Sequence, residues 1–150
     1  DLLGRKLARD QGESLKLLIG IMSKDAEALA AAPLPEAAEL APMFAKSIET
    51  LGKTGSALMI IGMGDMGAAL GVSVPFLNLL GVVCGAWQWA RAATAAAVSL
   101  QAGRDEDGYC RAQIPLARFY LSHVASEAAG LARTVTQGGP VVASFDEAGF

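Results

Sequence analysis

The sequence predicts an all-α fold, and within that class an antiparallel up-down-up-down four-helix bundle. Three observations predict it. Alanine, the best intrinsic helix former, supplies much of an apolar content of 53%. Residue types that favour strands are sparse, and apolar side chains recur at spacings of three and four along four segments. Because short connections favour antiparallel neighbours, four such segments in 150 residues indicate one bundle domain.

The first predicted helix lies between Gln11 and Pro33. Asp10 and Glu13 have the spacing of a capping box with a carboxylate at the cap, which places the start near Gln11. Pro33 is incompatible with a continued helix and ends it. One apolar face follows the helical period: Leu15, Leu18, Met22, Ala26 and Leu29.

The second predicted helix begins at Pro35, because proline is well suited to the first helical position. Pro42 falls inside the pattern, so either a kink or a later start is possible. The helix is predicted to fade at residues 62–65. Its apolar face contains Leu40, Phe44, Ile48, Leu51, Leu58 and Gly62.

The third predicted helix runs from a Ser73 cap to Gln101, with Gly103 as its C-terminal stop. Residues 66–90 contain no formal charge and include a GxxxG at residues 81–85, so a membrane span is an alternative. Small residues at a helix crossing serve a water-soluble bundle equally well. A buried central helix is therefore the preferred interpretation, and no membrane is expected as a partner.

The fourth predicted helix begins at Asp105 or Asp107 and is closed by residues 138–140. Pro115 lies inside it, which implies a late start or a kink. Its heptad seam is suited to packing in a bundle. The seam consists of Cys110, Ile114, Ala117, Leu121, Val124, Ala128, Leu131 and Val135.

Charge and cysteine usage exclude several classes of function. Twelve basic and fifteen acidic residues give a net charge of −3 without a basic stripe, which argues against nucleic acid as a partner. Cys84 and Cys110 lie inside predicted helices without CxxC spacing. They are interpreted as small buried thiols in a reducing compartment, and a cytoplasmic location is expected.

The segment at residues 62–67 spells GxGxxG, the pattern of a dinucleotide-binding loop. That loop requires a preceding strand and an acidic residue roughly 20 positions downstream. The preceding segment here is predicted to be helical, and no Asp or Glu occurs between Asp65 and Asp105. A flexible turn between helices is the preferred interpretation.

No set of catalytic or metal-binding residues stands out. His123 is the single histidine and shares a predicted helical face with Glu127, with which it could hydrogen-bond. One histidine cannot supply the usual metal site, and Ser73 lacks the second glycine of GxSxG. We therefore predict no catalytic, cofactor-binding or metal-binding residue in this chain.

The aromatic residues are assigned to packing and to interfaces. Trp87 matches the apolar face of the third helix, whereas Trp89 points elsewhere and, beside Arg91, has the composition of an interface. Three further aromatic residues are expected in the core and rim: Tyr109, Phe119 and Tyr120. In the C-terminal tail, Phe145 and Phe150 are expected to dock on a neighbour.

Three stretches carry a resemblance to a known family: DLLGRKLARD at residues 1–10, FLNLLGVVCGAWQWARAA at 76–93, and YCRAQIPLARFYLSHVASEAAGLARTVTQ at 109–137. The sequence resembles acyl-CoA dehydrogenases that carry an additional C-terminal helical domain, including the 3-methylmercaptopropionyl-CoA dehydrogenases. In that family the opening phrase follows an aromatic-Glu-Gly-Thr motif whose Glu is the catalytic base. The resemblance therefore implies that the base lies upstream of residue 1.

The resemblance also implies an intact enzyme that uses FAD to oxidise an acyl-CoA thioester, and we expect a homodimer. The implied division is a helical tail of an upstream dehydrogenase core at 1–9, the bundle at 10–138 and a C-terminal tail at 139–150. Arg5 and Lys6 lie nearest the expected active site and are given no catalytic role. The domain alone is expected to be inactive and to pack on the core, help dimerise it or cover the CoA entrance. The alternative is a free-standing, non-enzymatic helical interaction module.

Overall fold

The computed structural model describes residues 10, 12–105 and 107–145. Over these residues the chain forms helices and turns without any β-strand, which confirms the predicted all-α class. The up-down-up-down arrangement remains a prediction. The α-helices are α1 (Glu13–Ala30), α2 (Pro35–Ala38), α3 (Ala41–Gly64), α4 (Met66–Gly71), α5 (Ser73–Gln101), α6 (Tyr109–Phe119) and α7 (Ala128–Ala143). A π-helix (Tyr120–Val124) and a 3₁₀ turn (Ala125–Glu127) join α6 to α7.

Helix α1 begins two residues later than predicted and follows Gly12 as its N-cap residue. The Asp10 carboxylate accepts hydrogen bonds from the backbone N–H groups of Gly12 and Ser14, each at 3.1 Å. It also accepts one from the Ser14 hydroxyl, which is the main cause of a lowered pKa at Asp10. Glu13 does not complete a reciprocal box, because its carboxylate pairs with Lys16 at 2.7 Å. The Asp10 carboxylate therefore binds N–H groups at the start of the helix, but the N-cap residue is Gly12 and the predicted capping box does not form.

The second predicted helix is divided at Leu40 into α2 and α3. Pro42 occupies the first turn of α3, where its missing N–H has no helical partner to lose. The predicted start at Pro35 is found in α2, whereas the long helix α3 starts later, at Ala41. A turn was predicted between α3 and α5, but this segment contains the short helix α4. Asp65 separates the two helices in an extended conformation and accepts the N–H of Ala68 at 3.1 Å.

Helix α5 has the bounds that were predicted. The helix begins at the predicted residue, but the Ser73 side chain does not make the capping hydrogen bond on which that prediction was based. Gly103, at φ +70°, terminates the helix as expected. Helix α5 packs against α1, α3, α6 and α7, which makes it the central helix of the domain. No helix in the described part of the chain has the length and hydropathy needed to cross a membrane.

The fourth predicted helix begins at Tyr109. It was predicted to end at residues 138–140, but its last segment, α7, continues to Ala143. A Cβ added to Gly139 would lie 3.1 Å from the Ala68 carbonyl oxygen. The glycine therefore permits α7 to pack closely on α4, and that contact supports the last turn despite Pro140. The division of the chain at 138/139 remains a prediction, while residues 1–9 and 146–150 lie outside the described residues.

The core is formed mainly by α1, α3 and α5. The largest side chains without solvent exposure are Phe44, Phe76, Met22, Leu29, Leu40, Leu51 and Leu79. Most of the heptad seam predicted for the last helix is also buried, including Ile114, Ala117, Leu121, Ala128 and Val135. The helical periodicities therefore identified the correct inward faces, because burial of one face is what stabilises an amphipathic helix.

Candidate functional site

A polar cluster joins the middle of α1 to α5. The indole Nε1 of Trp87 donates a 2.5 Å hydrogen bond to Oδ2 of Asp25. The guanidinium of Arg91 lies 5.6 Å from the centroid of the Trp87 ring, and its Nε is 3.8 Å from the same Asp25 oxygen. The carboxylate thus has two partners from one helix. This arrangement fixes the packing of α1 on α5 rather than presenting a free acid or base.

Replacing Asp25 by alanine is expected to lower the free energy of unfolding by about 2 kcal/mol, because the half-buried indole loses its charged acceptor. Urea denaturation followed by tryptophan fluorescence measures this change. The control is Glu13→Ala, which removes an exposed pair with Lys16 and is expected to change stability within experimental error. Equal losses in the two variants would contradict a structural role for the cluster.

Tyr120 connects the π-helical segment to α5. Its hydroxyl donates to the Val82 carbonyl at 3.2 Å, and its ring lies 6.4 Å from the Trp89 ring, centroid to centroid. Burial, followed by the Glu127 charge, raises the pKa of Tyr120. Trp89 is half-buried beside this ring rather than exposed, and a contact of its remaining surface with a partner stays a prediction. The π-helix brings Tyr120 into this contact, and periodicity alone did not reveal it.

His123 is exposed and interacts with Phe119. Its Nδ1 lies 3.2 Å from the Phe119 carbonyl oxygen, and the two rings stack with centroids 4.5 Å apart. The hydrogen bond envisaged with Glu127 is not the one that forms, because the π and 3₁₀ segments interrupt the regular helical spacing between these residues. Tyr109 and Phe119 are likewise exposed and belong to the rim of the domain.

Both cysteines are free thiols and half-buried, rather than fully buried as expected. Burial raises the pKa of Cys84. Since the thiolate is the nucleophile, a raised pKa lowers the reactive fraction at any given pH. Cys84 is therefore arranged as a packing residue.

In a Cys110→Ser variant, alkylation of Cys84 is expected to be slower in the folded protein than in urea. The inflection of its pH–rate profile should lie above the ordinary thiol pKa of about 8.5, because folding raises the pKa. Steric protection would slow the reaction equally at every pH, so the position of the inflection isolates the effect of burial. Coincident inflections in the folded and unfolded states would contradict it.

The GxGxxG segment does not form a nucleotide-binding loop. Gly62 and Gly64 lie in α3, Gly67 lies in α4, and Asp65 alone separates the two helices. The geometry that binds a pyrophosphate is strand, loop and helix, whereas helices flank this segment on both sides. The interpretation as a junction between helices is therefore supported, although only one residue interrupts the helical structure.

Few of the described residues bury a polar side chain. The buried polar side chains among them are Ser47 and Thr54, which donate to the carbonyls of Met43 at 3.2 Å and Thr50 at 2.7 Å. Every fully buried side-chain nitrogen or oxygen in this part of the chain has a partner. No group of three or more His, Cys, Asp or Glu residues there could hold a metal ion.

A set of exposed apolar side chains belongs to the end of α3, to α4, to the start of α5 and to the end of α7. We call it the apolar end. It consists of Ile60, Met63, Met66, Leu70, Val74, Leu77, Val141 and Val142. Close packing ties these helices together, since a Cβ on Gly71 would lie 2.7 Å from Val142 Cγ1 and one on Gly62 would lie 3.5 Å from Ala69 Cβ.

The described residues form an all-helical domain in which every fully buried side-chain nitrogen or oxygen has a hydrogen-bond partner. A family model described as acetyl-CoA dehydrogenase C-terminal like matches residues 18–146. The chain belongs to this family and is an acyl-CoA dehydrogenase C-terminal domain. The match begins after residues 1–10, so it supports the resemblance without testing its opening phrase. No match was found among curated proteins or among solved structures.

Proposed function

We propose that this chain is the C-terminal accessory domain of an FAD-dependent acyl-CoA dehydrogenase, and that its role there is structural. The observation that carries the proposal is the family match over residues 18–146. The fully partnered buried polar groups of the described residues are consistent with a structural role. Catalytic, cofactor-binding and metal-binding residues are accordingly assigned to none of this chain's positions.

In the intact enzyme, we propose an upstream dehydrogenase core that binds FAD and oxidises an acyl-CoA thioester, with the flavin supplying the redox step. The finer assignment is to the group that resembles 3-methylmercaptopropionyl-CoA dehydrogenases. The division is the one implied by the sequence: 1–9 as the continuation of the core, 10–138 as an up-down-up-down bundle, and 139–150 as a tail. Neither Arg5 nor Lys6 is given a catalytic role.

The upstream core is proposed to dock beside the first half of α1. Leu17 is 69% exposed and Ile21 is also exposed, although both lie in a helix whose opposite face is buried. The start of α1 packs on α3, since a Cβ on Gly12 would lie 3.9 Å from Met59 Cγ. Leu17 and Ile21 therefore offer exposed apolar surface close in sequence to residues 1–9, through which the core would be connected. A homodimeric, cytoplasmic enzyme without nucleic-acid or membrane partners completes the proposal.

The proposal is tested by expressing the complete native reading frame beside a version that ends before Asp10. The complete protein is expected to show flavin absorbance that is bleached by an acyl-CoA, and the shorter version is expected to be less stable or to change its oligomeric state. The isolated 150-residue chain should be colourless and inactive. Flavin or turnover in the isolated chain would contradict the division of roles.

The exposed apolar end favours a second candidate, a free-standing interaction module. The two candidates differ in what precedes Asp1 in the native gene. An open frame with an aromatic-Glu-Gly-Thr motif supports the accessory domain. An initiator methionine or signal peptide directly before Asp1 would support the module instead.

A further inference from the structure

The five methionines of the chain differ widely in their exposure to solvent. Met22 has none, while Met43 and Met59 are partly buried against the core. Met63 and Met66 are 77% and 46% exposed. Both lie in the GxGxxG segment, for which the proposed function provides no role. The exposed thioethers of the domain are therefore gathered in one short segment.

The junction between α3 and α4 leaves both of these side chains exposed to water. Met63 lies in the last turn of α3 and Met66 is the first residue of α4, with Asp65 alone between the helices. Gly64, beside Met63, adds no side chain, and a Cβ built on it would have no atom within 4 Å. Asp65 is engaged at the start of α4, where its Oδ1 accepts the Ala68 N–H at 3.1 Å. Both thioether side chains are therefore accessible to a small uncharged reagent.

Hydroperoxides oxidise accessible thioethers. The sulfur lone pair attacks one peroxide oxygen, so an S–O bond forms while the O–O bond breaks, and after proton transfer hydrogen peroxide leaves as one molecule of water. The methionine sulfur is thereby oxidised to a sulfoxide and the peroxide is reduced. Access decides which methionine reacts, because all thioethers share the same intrinsic chemistry. We propose that Met63 and Met66 form the oxidation site of this domain, with hydroperoxides as the class of reagent.

Oxidation at this site changes the surface of the domain and leaves its core intact. A sulfoxide is polar, so its formation in a packed interior disrupts the contacts of the side chain. Met22 would carry that cost, because it has no solvent exposure. At Met63 and Met66 the new oxygen is hydrated without displacing a core side chain. Two apolar members of the apolar end thus become polar while the helices remain folded.

Timed treatment of the chain with hydrogen peroxide, followed by peptide mass spectrometry of each methionine, tests the proposal. The reaction uses a Cys84→Ser, Cys110→Ser background, because thiols would otherwise consume the oxidant. Far-UV circular dichroism verifies that this background is helical. The control is the same reaction in concentrated urea, where every methionine is accessible. A Met63→Leu, Met66→Leu variant keeps apolar side chains of similar volume and removes the proposed site.

In the folded chain we expect Met63 and Met66 to be oxidised at least about tenfold faster than Met22, and in urea we expect equal rates. The leucine variant should lose the fast phase, and the rapidly oxidised chain should keep its circular dichroism spectrum and urea midpoint. Equal rates for Met63 and Met22 in the folded chain, or faster oxidation of Met43 or Met59, would overturn the proposal, as would unfolding during the fast phase. Because the measurement requires neither flavin nor acyl-CoA, its outcome is independent of the proposed function.

Discussion

Replacing Phe76 by alanine is expected to lower the free energy of unfolding by about 3–5 kcal/mol, the largest effect we expect from any single substitution considered. Phe76 lies in the first turn of α5 and has no solvent exposure. Its ring packs at the crossing with α3, because a Cβ on Gly55 would lie 3.8 Å from Phe76 Cζ. Truncation would leave a cavity at a site lined by α1 and α3, and rigid helices cannot fully collapse into it.

Urea denaturation followed by circular dichroism measures the loss, and Phe119→Ala is its matched control. Phe119 is the same residue type but is 56% exposed, so its truncation is expected to cost less than about 1 kcal/mol. Since domains of this size are stable by only about 5–15 kcal/mol, the Phe76 variant is best measured in the cold or with a stabilising osmolyte. Similar losses in the two variants would contradict the burial of Phe76.

Replacing Gly85 by alanine is expected to destabilise the domain by about 1–3 kcal/mol, although alanine is the better helix former. A Cβ at Gly85 would overlap the hydroxyl and ring of Tyr120. Tyr120 cannot move away without losing its hydrogen bond to Val82 and its contact with Trp89. The steric cost therefore exceeds the gain in helix propensity.

The matched control for Gly85 lies one turn earlier in the same helix. A Cβ on Gly81 would have no atom within 4 Å, so Gly81→Ala is expected to stabilise the domain by about 0.5–1 kcal/mol. A Gly85→Ala, Tyr120→Leu double variant should lose less than the sum of its single variants, because the removed hydroxyl is the group that the Cβ meets. Two results together would contradict the close approach of α5 to the π-helical segment. They are stabilisation by both Gly85→Ala and Gly81→Ala, and additive changes in stability for Gly85→Ala and Tyr120→Leu.

The elements predicted best were those with long, uninterrupted periodicity. Helix α5 has the predicted bounds, and the buried faces of α1 and α3 are the ones that the spacing of their apolar residues indicated. The errors lie where glycine and proline coincide with close packing. Helix α4 occupies a predicted turn, and α7 continues past residues 138–140 because it lies against α4. Local helix propensity contains no information about a stabilising contact with a segment about 70 residues away in the chain.

In the candidate site as well, the positions of single residues were predicted better than their contacts with distant residues. Trp87 was predicted from its position to face inward, but its Asp25 partner lies 62 residues away in sequence and could not be paired with it. Trp89 was expected to face a partner, and its contact with the Tyr120 ring was not predicted, because Tyr120 lies in a π-helical segment where the regular helical spacing does not hold. The uncharged stretch at residues 66–90 was recognised, whereas its exposed members were not distinguished from its buried ones.

The sequence by itself determined the all-α class, the inward faces of the long helices and the resemblance to acyl-CoA dehydrogenases that the family match supports. These properties depend on local periodicity and on short motifs, which one segment carries without its neighbours. Only the tertiary structure decided which apolar residues remain exposed. Met63 and Leu70 are large apolar residues like Phe76 and Leu79, so residue type does not distinguish the two pairs. Their exposure differs because other helices cover Phe76 and Leu79 and leave Met63 and Leu70 in water. Exposure depends on the relative placement of several helices, so the apolar end could be recognised only once those helices were assembled.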